Sequence, residues 1–164
     1  YLLNEHTKDI DALLNLKEEH IGLISDAGLP CVADPGSKLV FKARKKGVVI
    51  CAYPGPSSIF LALLLSGFPS QKFMFHGYLP KEEEALKKMV TSMQKGLTHL
   101  FIETPYRNDK LLKTLLLSLG KEDLLCVAAN LMAPNERVIS CAVKEWKKEE
   151  SFKDQPAVFV LLRV

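Results

Sequence analysis

Three short segments of the sequence combine small, rigid and charged residues in an order that suits close contact with a ligand. The first spans residues 25–36, where SDAGLP is followed by CV and then by ADPG. Its glycines and prolines let main-chain N–H and C=O groups approach a bound molecule closely. Asp26 and Asp34 can accept hydrogen bonds from ligand hydroxyls or from an ammonium group. The alternative is a plain turn in which both carboxylates cap local N–H groups.

The second segment, residues 53–59, reads YPGPSSI and places two hydroxyl side chains at the start of a helix. A helix N-terminus directs free amides and the positive end of its dipole towards a carboxylate or a phosphate. Ser57 and Ser58 therefore suit an anionic group of a ligand. Simple N-capping by either serine explains the same residues without a ligand.

The third segment, residues 101–107, reads FIETPYR and places a carboxylate and a guanidinium on either side of a proline turn. Arg107 can hold a phosphate, because a guanidinium donates two parallel hydrogen bonds to such a group. It can equally pair with Glu103 in a structural salt bridge. The sequence leaves both interpretations open.

No metal site is expected, because the histidines and cysteines are widely spaced and form no ligand pattern. They are His6, His20, His76, His99, Cys31, Cys51, Cys126 and Cys141. Such cysteines are typical of buried, reduced thiols in a cytoplasmic protein. The longest apolar stretch, residues 59–65, is too short to cross a bilayer, so no membrane partner is expected.

The elements that must position these segments alternate between strand and helix over residues 1–70. Residues 21–25 and 48–53 are short apolar runs that predict buried strands. Residues 37–46 and 59–66 predict helices, the second of them apolar on all sides and therefore buried. This alternation favours a Rossmann-like parallel sheet that is covered on both faces.

The sequence GFPS at residues 67–70 predicts a boundary, so that the domains span 1–70 and 71–164. The second domain also reads as α/β, with a mixed sheet. Its predicted strands span residues 73–79, 99–104, 124–130, 136–141 and 157–163. Its predicted helices span residues 82–95, 108–119 and 144–149.

The charge distribution says little about which kind of partner the protein binds. Lysine and arginine number 22 against 19 aspartate and glutamate, a net charge of +3, and the excess lies beyond residue 70. This pattern is compatible with a polyanionic partner and equally with solvated helix faces. A content of 48% hydrophobic and 25% charged residues excludes a disordered chain.

The order of the motifs resembles one family. SDAGLPCVADPG at 25–36, YPGPSSI at 53–59, GYLP at 77–80 and FIETPYR at 101–107 are similar to the tetrapyrrole methylase-like methyltransferases. Within that class they resemble the branch of the ribosomal RNA small-subunit methyltransferase I enzymes. The class also includes uroporphyrinogen and cobalamin-precursor methylases. The likeness runs over essentially the whole chain.

The resemblance implies two α/β domains with S-adenosylmethionine in the cleft between them, usually in a homodimer. Residues 1–70 would then be an N-terminal domain without its first strand and Gly-containing loop. Glu103 and Asp26 are the implied candidate proton acceptors, and Arg107 is a further catalytic candidate. The implied cofactor-binding positions are Asp26, Ala27, Gly28, Pro30, Ser57, Ser58, Leu131, Met132, Pro156, Ala157 and Val158.

Three functions follow as hypotheses. The first is methyl transfer to ribosomal RNA, on a ribose 2′-hydroxyl, and the second is methyl transfer to a small molecule such as a tetrapyrrole. The third is a non-catalytic nucleotide-binding or interaction module. The second hypothesis requires cations for the many carboxylates of a tetrapyrrole, and the arginines are few: Arg44, Arg107, Arg137 and Arg163. Adenosine binding separates the third hypothesis from the others, and salt-dependent RNA affinity separates the first from the second.

Overall fold

The structure is a computed structural model that describes residues 10–15, 20–26 and 28–164. Its contacts divide the chain into two compact units, Tyr1–Ser57 and Ser58–Val164. The described part of the first unit contains helices α1 (Ile10–Leu14) and α2 (Ser37–Lys45). Helix α2 confirms the helix predicted over residues 37–46.

The second unit is an α/β structure whose element order follows the prediction closely. Two 3-10 turns, Pro105–Arg107 and Val143–Glu145, connect its longer elements. Those elements are α3 (Ser58–Ser66), β1 (Phe73–Tyr78), α4 (Glu83–Ser92), β2 (Thr98–Ile102), α5 (Asn108–Ser118), β3 (Leu124–Ala129), β4 (Arg137–Ala142) and β5 (Ala157–Leu162).

The five strands form one mixed sheet in the order β1-β2-β5-β3-β4, which confirms the predicted α/β fold with a mixed sheet. Strands β1 and β2 are parallel, and the other three pairs are antiparallel. The last strand, β5, therefore lies in the middle. Its residue Val158 pairs with Ile102 on one side and with Ala128 on the other.

Both faces of the central strand β5 are buried, and its successive side chains point to opposite faces of the sheet. Along β5, Phe159 and Leu161 face the apolar cluster shared with α4 and α5. Val158 and Val160 face a second cluster, shared with α3. A sheet covered on both faces explains why the sequence AVFVLL of β5 is continuously apolar.

Helix α3 packs on the sheet of the second unit. Ile59, Ala62 and Leu63 lie in the cluster on that face, and the Ser140 hydroxyl of β4 donates to the Ser66 carbonyl at 2.7 Å. The sequence assigned this helix to the first domain, whereas its contacts lie with the second unit because its apolar side meets the sheet. The domain boundary after residue 70 stays a prediction. No described helix combines the length and the apolarity needed to span a membrane.

Three predicted elements differ from the structure. Residues 21–25 and 48–53 form no strand, since no partner strand hydrogen-bonds to them within the described ranges, and Ile24 and Val49 are 90% and 85% exposed. The parallel sheet predicted for residues 1–70 is thus not formed by the described part of the first unit. The helix predicted at 144–149 is only the turn Val143–Glu145, because Trp146 adopts an extended backbone and turns its ring into the core.

Candidate functional site

Two of the predicted ligand-binding segments touch one another within the first unit. A Cβ placed on Gly28 would lie 3.9 Å from the Pro56 carbonyl oxygen, and one on Gly55 would lie 3.3 Å from the Leu29 side chain. The loop at 25–30 and the turn at 53–56 are therefore neighbours. Gly28 has a φ of +74°, a conformation that strains any residue with a side chain.

The loop that follows is held in an unusual backbone conformation. Cys31 and Ala33 have φ values of 71° and 58°, although neither is glycine. A Cβ on Gly36 would meet the Cys31 sulfur and a Leu23 methyl at 2.9 Å, so this position requires glycine. Such conformations occur where a site needs a particular backbone shape.

The two carboxylates of this loop differ in their surroundings. The Ser25 hydroxyl donates to the Asp34 carboxylate, so Asp34 serves the loop itself. Asp26 is exposed, which leaves its carboxylate accessible to a ligand. Ala27 lies outside the described residues. Pro30 is half-buried in the same loop.

Three further predicted segments of the second unit meet at one end of the sheet's central strands. The register pairs Ala129 with Ala157 and Ile102 with Val158. The ends of β2 and β3 and the start of β5 therefore lie side by side. We call this place, where the chain enters β5, the β5 edge. It carries Glu103–Arg107, Leu131–Met132 and Pro156–Val158.

The turn after β3 is fixed by main-chain contacts. The Asn130 amide donates to the Pro156 carbonyl at 2.9 Å, and the Met132 amide donates to a Glu136 carboxylate oxygen at 2.8 Å. Asn130 and Met132 both have positive φ values, 50° and 67°. Leu131 packs on the apolar cluster beneath, whereas Met132 is 76% exposed. The turn thus presents one apolar side chain to the core and one to the surface.

Glu103 and Arg107 form the salt bridge that was one of the two interpretations of their motif. The guanidinium Nη2 lies 3.3 Å from Glu103 Oε2, and both side chains are largely buried. The other oxygen, Oε1, accepts hydrogen bonds from the Thr104 amide at 2.7 Å and from its hydroxyl at 3.1 Å. Both oxygens of Glu103 are therefore engaged within the protein.

Two residues that the sequence analysis did not single out also serve the β5 edge. Asn108 and Asp109, at the start of α5, hydrogen-bond to the loop that leads into β5. In the sequence, an asparagine and an aspartate at a helix start look like ordinary helix-start residues. Their partners lie more than 40 residues away, so no local pattern reveals them.

The remaining predicted positions lie at the junction of the units. Ser57 is the last residue of the first unit, and Ser58 begins both the second unit and helix α3. The predicted helix start after YPGPS is thereby confirmed. The role of either serine in binding stays a prediction.

His76 of β1 and His99 of β2 form a pair, and His99 lies at the opposite end of β2 from Glu103. His99 Nε2 lies 2.9 Å from the Gln94 carbonyl and must donate, so its Nδ1 accepts the hydrogen bond from His76 Nε2, also at 2.9 Å. The pair borders a cavity of about 240 Å³ that Met74, Met89 and Met93 also line. Among the described residues, no cluster of three or more His, Cys, Asp or Glu side chains could hold a metal ion.

Acid should weaken the fold through His76. Burial, and next the adjacent His99, lower the pKa of His76 below its ordinary 6.5. The unfolded chain then binds this proton at a higher pH than the folded protein does. The stabilisation is complete above about pH 6.5 and is lost as the pH falls towards the lowered folded-state pKa. Urea unfolding between about pH 5 and 8 should show this slope.

The variant His76→Gln should flatten the slope, and the exposed His20→Gln serves as its control. An unchanged slope in His76→Gln would assign the acid sensitivity to other groups.

Comparison with known proteins gives consistent matches. The model of the family Tetrapyrrole (Corrin/Porphyrin) Methylases matches residues 3–147. The Ribosomal RNA small subunit methyltransferase I of Vibrio cholerae is 34% identical over 146 residues, which cover 87% of this chain and 51% of that protein. The protein of the same name from Halalkalibacterium halodurans is 30% identical over 167 residues, covering 96% and 57%. The chain thus spans about half the length of the curated relatives it matches.

Solved structures share the fold. The crystal structure of the methyltransferase CobJ superposes with a TM-score of 0.57 at 18% identity, over 84% of this chain and 62% of that one. Uroporphyrin-III C-methyltransferase from Thermus thermophilus, complexed with S-adenyl homocysteine, gives 0.50 at 21% identity, over 82% and 62%. At such identities the likeness concerns the fold.

Proposed function

The chain belongs to the tetrapyrrole (corrin/porphyrin) methylase family. We therefore propose that it acts as a methyltransferase, or as part of one, and that the enzyme uses S-adenosylmethionine. The observation that carries the proposal is the β5 edge, where the structure assembles three separate segments that had been predicted to serve the site. Two of these segments were predicted to bind the cofactor, and the third was predicted to hold catalytic groups.

The residues at the β5 edge fit an adenosine. An adenosine requires apolar walls and main-chain hydrogen-bonding groups. Leu131, Met132 and Pro156 supply apolar surface, and the strained turn at 130–132 shapes the main chain around it. Asp26, Gly28, Pro30 and Ser57 of the first unit are proposed as further cofactor contacts, and so is Ser58, the first residue of the second unit. The side chains of Ala157 and Val158 are buried, so these residues are proposed to act through their main chain.

S-adenosylmethionine supplies an electrophilic methyl group on its sulfonium sulfur. The protein must align the acceptor with that group and remove the proton that the acceptor hydroxyl loses. Arg107 is proposed to hold a phosphate of the acceptor. Of the two candidate proton acceptors, the engaged oxygens of Glu103 favour the exposed Asp26.

We propose ribosomal RNA as the acceptor, on a ribose 2′-hydroxyl, and the names of the curated relatives support this. The arginines lend no support to a tetrapyrrole with many carboxylates. Arg107, Arg137 and Arg163 are each engaged in salt bridges and hydrogen bonds within the protein. They do not form a free cationic cluster in the described part of the chain.

A homodimer in the cytoplasm is the proposed form of the protein. The exposed apolar side chains of Phe60 and Leu64 on helix α3 are consistent with a subunit contact. The four cysteines are all free, as expected in a reducing compartment. Cys51 is exposed, however, where the sequence predicted a buried thiol.

Calorimetric titration with S-adenosylhomocysteine tests the proposed function. We expect saturable binding of one molecule per chain by the unchanged protein. Gly28→Val should weaken it about tenfold or more, because a β-branched residue at φ +74° costs at least 1–2 kcal/mol and displaces the loop. Gly22→Val is the matched control, since a Cβ on Gly22 would meet no atom within 4 Å. The absence of saturable binding to the unchanged protein would contradict the proposal.

A second titration with RNA separates the two acceptor classes. If RNA is the acceptor, the affinity should fall steeply as salt increases, because phosphate contacts release counterions. An affinity for tetrapyrroles in the absence of any for RNA would favour the small-molecule alternative.

A further inference from the structure

The loop at residues 150–156 leads from the turn after β4 into β5, and the start of α5 holds it by four hydrogen bonds. The Asn108 amide nitrogen donates to the carbonyls of Phe152 at 3.3 Å and of Gln155 at 2.7 Å. The Asp109 carboxylate accepts from the Ser151 hydroxyl at 2.6 Å and from the Phe152 amide at 2.7 Å. We call these four bonds the α5 latch.

The latched loop is in turn connected to the turn after β3. The Gln155 side-chain oxygen accepts a hydrogen bond from the Asn130 side chain at 3.1 Å, and the Pro156 carbonyl accepts one from the Asn130 amide at 2.9 Å. The Asp154 amide donates to the carbonyl of Pro105, within the motif that holds Arg107. The loop that α5 holds therefore makes hydrogen bonds to the turns that carry the other two segments of the β5 edge and leads directly into the third, Pro156–Val158.

Backbone strain marks the same place. The described second unit contains three residues other than glycine with positive φ, namely Asn130, Met132 and Asp154. Asp154 lies in the loop that the latch holds, and Asn130 bonds to that loop at Gln155 and Pro156. Such conformations persist only where surrounding contacts fix them, and the latch fixes the loop that supplies the contacts of Asn130.

Packing alone does not account for an amide at position 108. Asn108 is fully buried, and its Oδ1 has no hydrogen-bond partner. A leucine would fill a similar volume and avoid the unpaired Oδ1, but it would leave the carbonyls of Phe152 and Gln155 without their donor. The two donated bonds of Nδ2 are what leucine cannot provide.

We infer that Asn108 and Asp109 are positioning residues, which set the main chain of residues 155–158 and the Asn130–Met132 turn for the adenosine part of the cofactor. This inference rests on the proposed function. Neither residue need touch the cofactor, because both act through the loop that they hold.

The test compares two variants of the start of α5 with a control on the same helix. Asn108→Leu removes both donors, and Ser151→Ala removes one bond to Asp109. Thr114→Val is the control, because it also removes a buried polar group of α5, one that bonds to Lys110 and makes no contact with the loop. Ser151→Thr, which restores the hydroxyl, tests for rescue.

Two readouts separate positioning from plain stabilisation. Hydrogen–deuterium exchange without ligand should become at least tenfold faster at the Phe152, Asp154 and Asn130 amides in Asn108→Leu, and unchanged in strand β4. S-adenosylhomocysteine should bind at least tenfold more weakly to Asn108→Leu. Ser151→Ala should give a smaller change in the same direction, which Ser151→Thr reverses. Thr114→Val should bind as the unchanged protein does, even if it melts at a lower temperature.

Each outcome decides a different point. If the unchanged protein binds S-adenosylhomocysteine and Asn108→Leu binds it equally well, the inference is overturned and the proposed function stands. Unaltered exchange at the three amides would overturn the latch itself. If the unchanged protein does not bind S-adenosylhomocysteine, both the proposed function and this inference fail.

Discussion

Replacing Phe159 with alanine should lower the free energy of unfolding of the second unit by about 3–5 kcal/mol. Phe159 is fully buried in the central strand β5, and its ring stacks on that of Phe101 at a centroid distance of 5.7 Å. The neighbouring strands restrain collapse around the missing ring, so the substitution leaves a cavity. Equilibrium urea unfolding, followed by circular dichroism, measures the change.

Phe60→Ala is the matched control within the same unit. Phe60 is 58% exposed and its main aromatic contact is with Phe73, so its loss should cost less than about 1.5 kcal/mol. Equal losses for the two variants would contradict the assignment of β5 to the centre of the sheet.

Replacing Glu103 with alanine should destabilise the second unit by about 2–4 kcal/mol. The substitution leaves the largely buried guanidinium of Arg107 without its counter-charge and the Thr104 amide without its acceptor. Removing one member of a buried ion pair is costly because the other charge stays desolvated. Urea unfolding of Glu103→Ala, of Arg107→Met and of the double variant gives the coupling energy, which should be favourable.

Glu103→Gln separates this structural contribution from chemistry. The glutamine keeps an acceptor for the Thr104 amide but removes the counter-charge of Arg107, so it should cost about 1.5–3 kcal/mol, less than alanine. Methyl transfer should stay within about tenfold of the unchanged rate, since Glu103 is already engaged by Arg107 and Thr104. A loss of about a hundredfold or more, in a variant that circular dichroism shows to be folded under the assay conditions, would identify Glu103 as the proton acceptor instead.

The elements of the second unit could be predicted because their signals are local. Helix α5 shows apolar residues at helical spacing, with Leu111, Leu112 and Leu115 in the core. Strand β5 is a continuous apolar run of strand length. The prediction failed where an element depends on distant partners. Residues 21–25 and 48–53 have the composition of strands, but a strand also needs a neighbour to pair with.

The residues of the candidate site could likewise be predicted only where their signals are local. The motifs around Asp26, Ser58 and Glu103 could be found because turns at strand ends and helix starts have recognisable compositions. The meeting of Glu103–Arg107, Leu131–Met132 and Pro156–Val158 at the β5 edge could not be read from spacing, since it depends on the strand order. The role of Asn108 was hidden for a related reason: its two acceptors lie 44 and 47 residues along the chain.

The position of β5 also governs the order in which the second unit can be completed during synthesis. The pairs β1–β2 and β3–β4 can form as soon as their residues emerge from the ribosome, but no strand joins them until residues 157–162 follow. Until then the inner edges of β2 and β3 are open, and open strand edges pair readily with other chains. A chain that stops before Ala157 would therefore carry two strand pairs whose inner edges are open. Such a chain should bind a chaperone far longer than one that continues through β5.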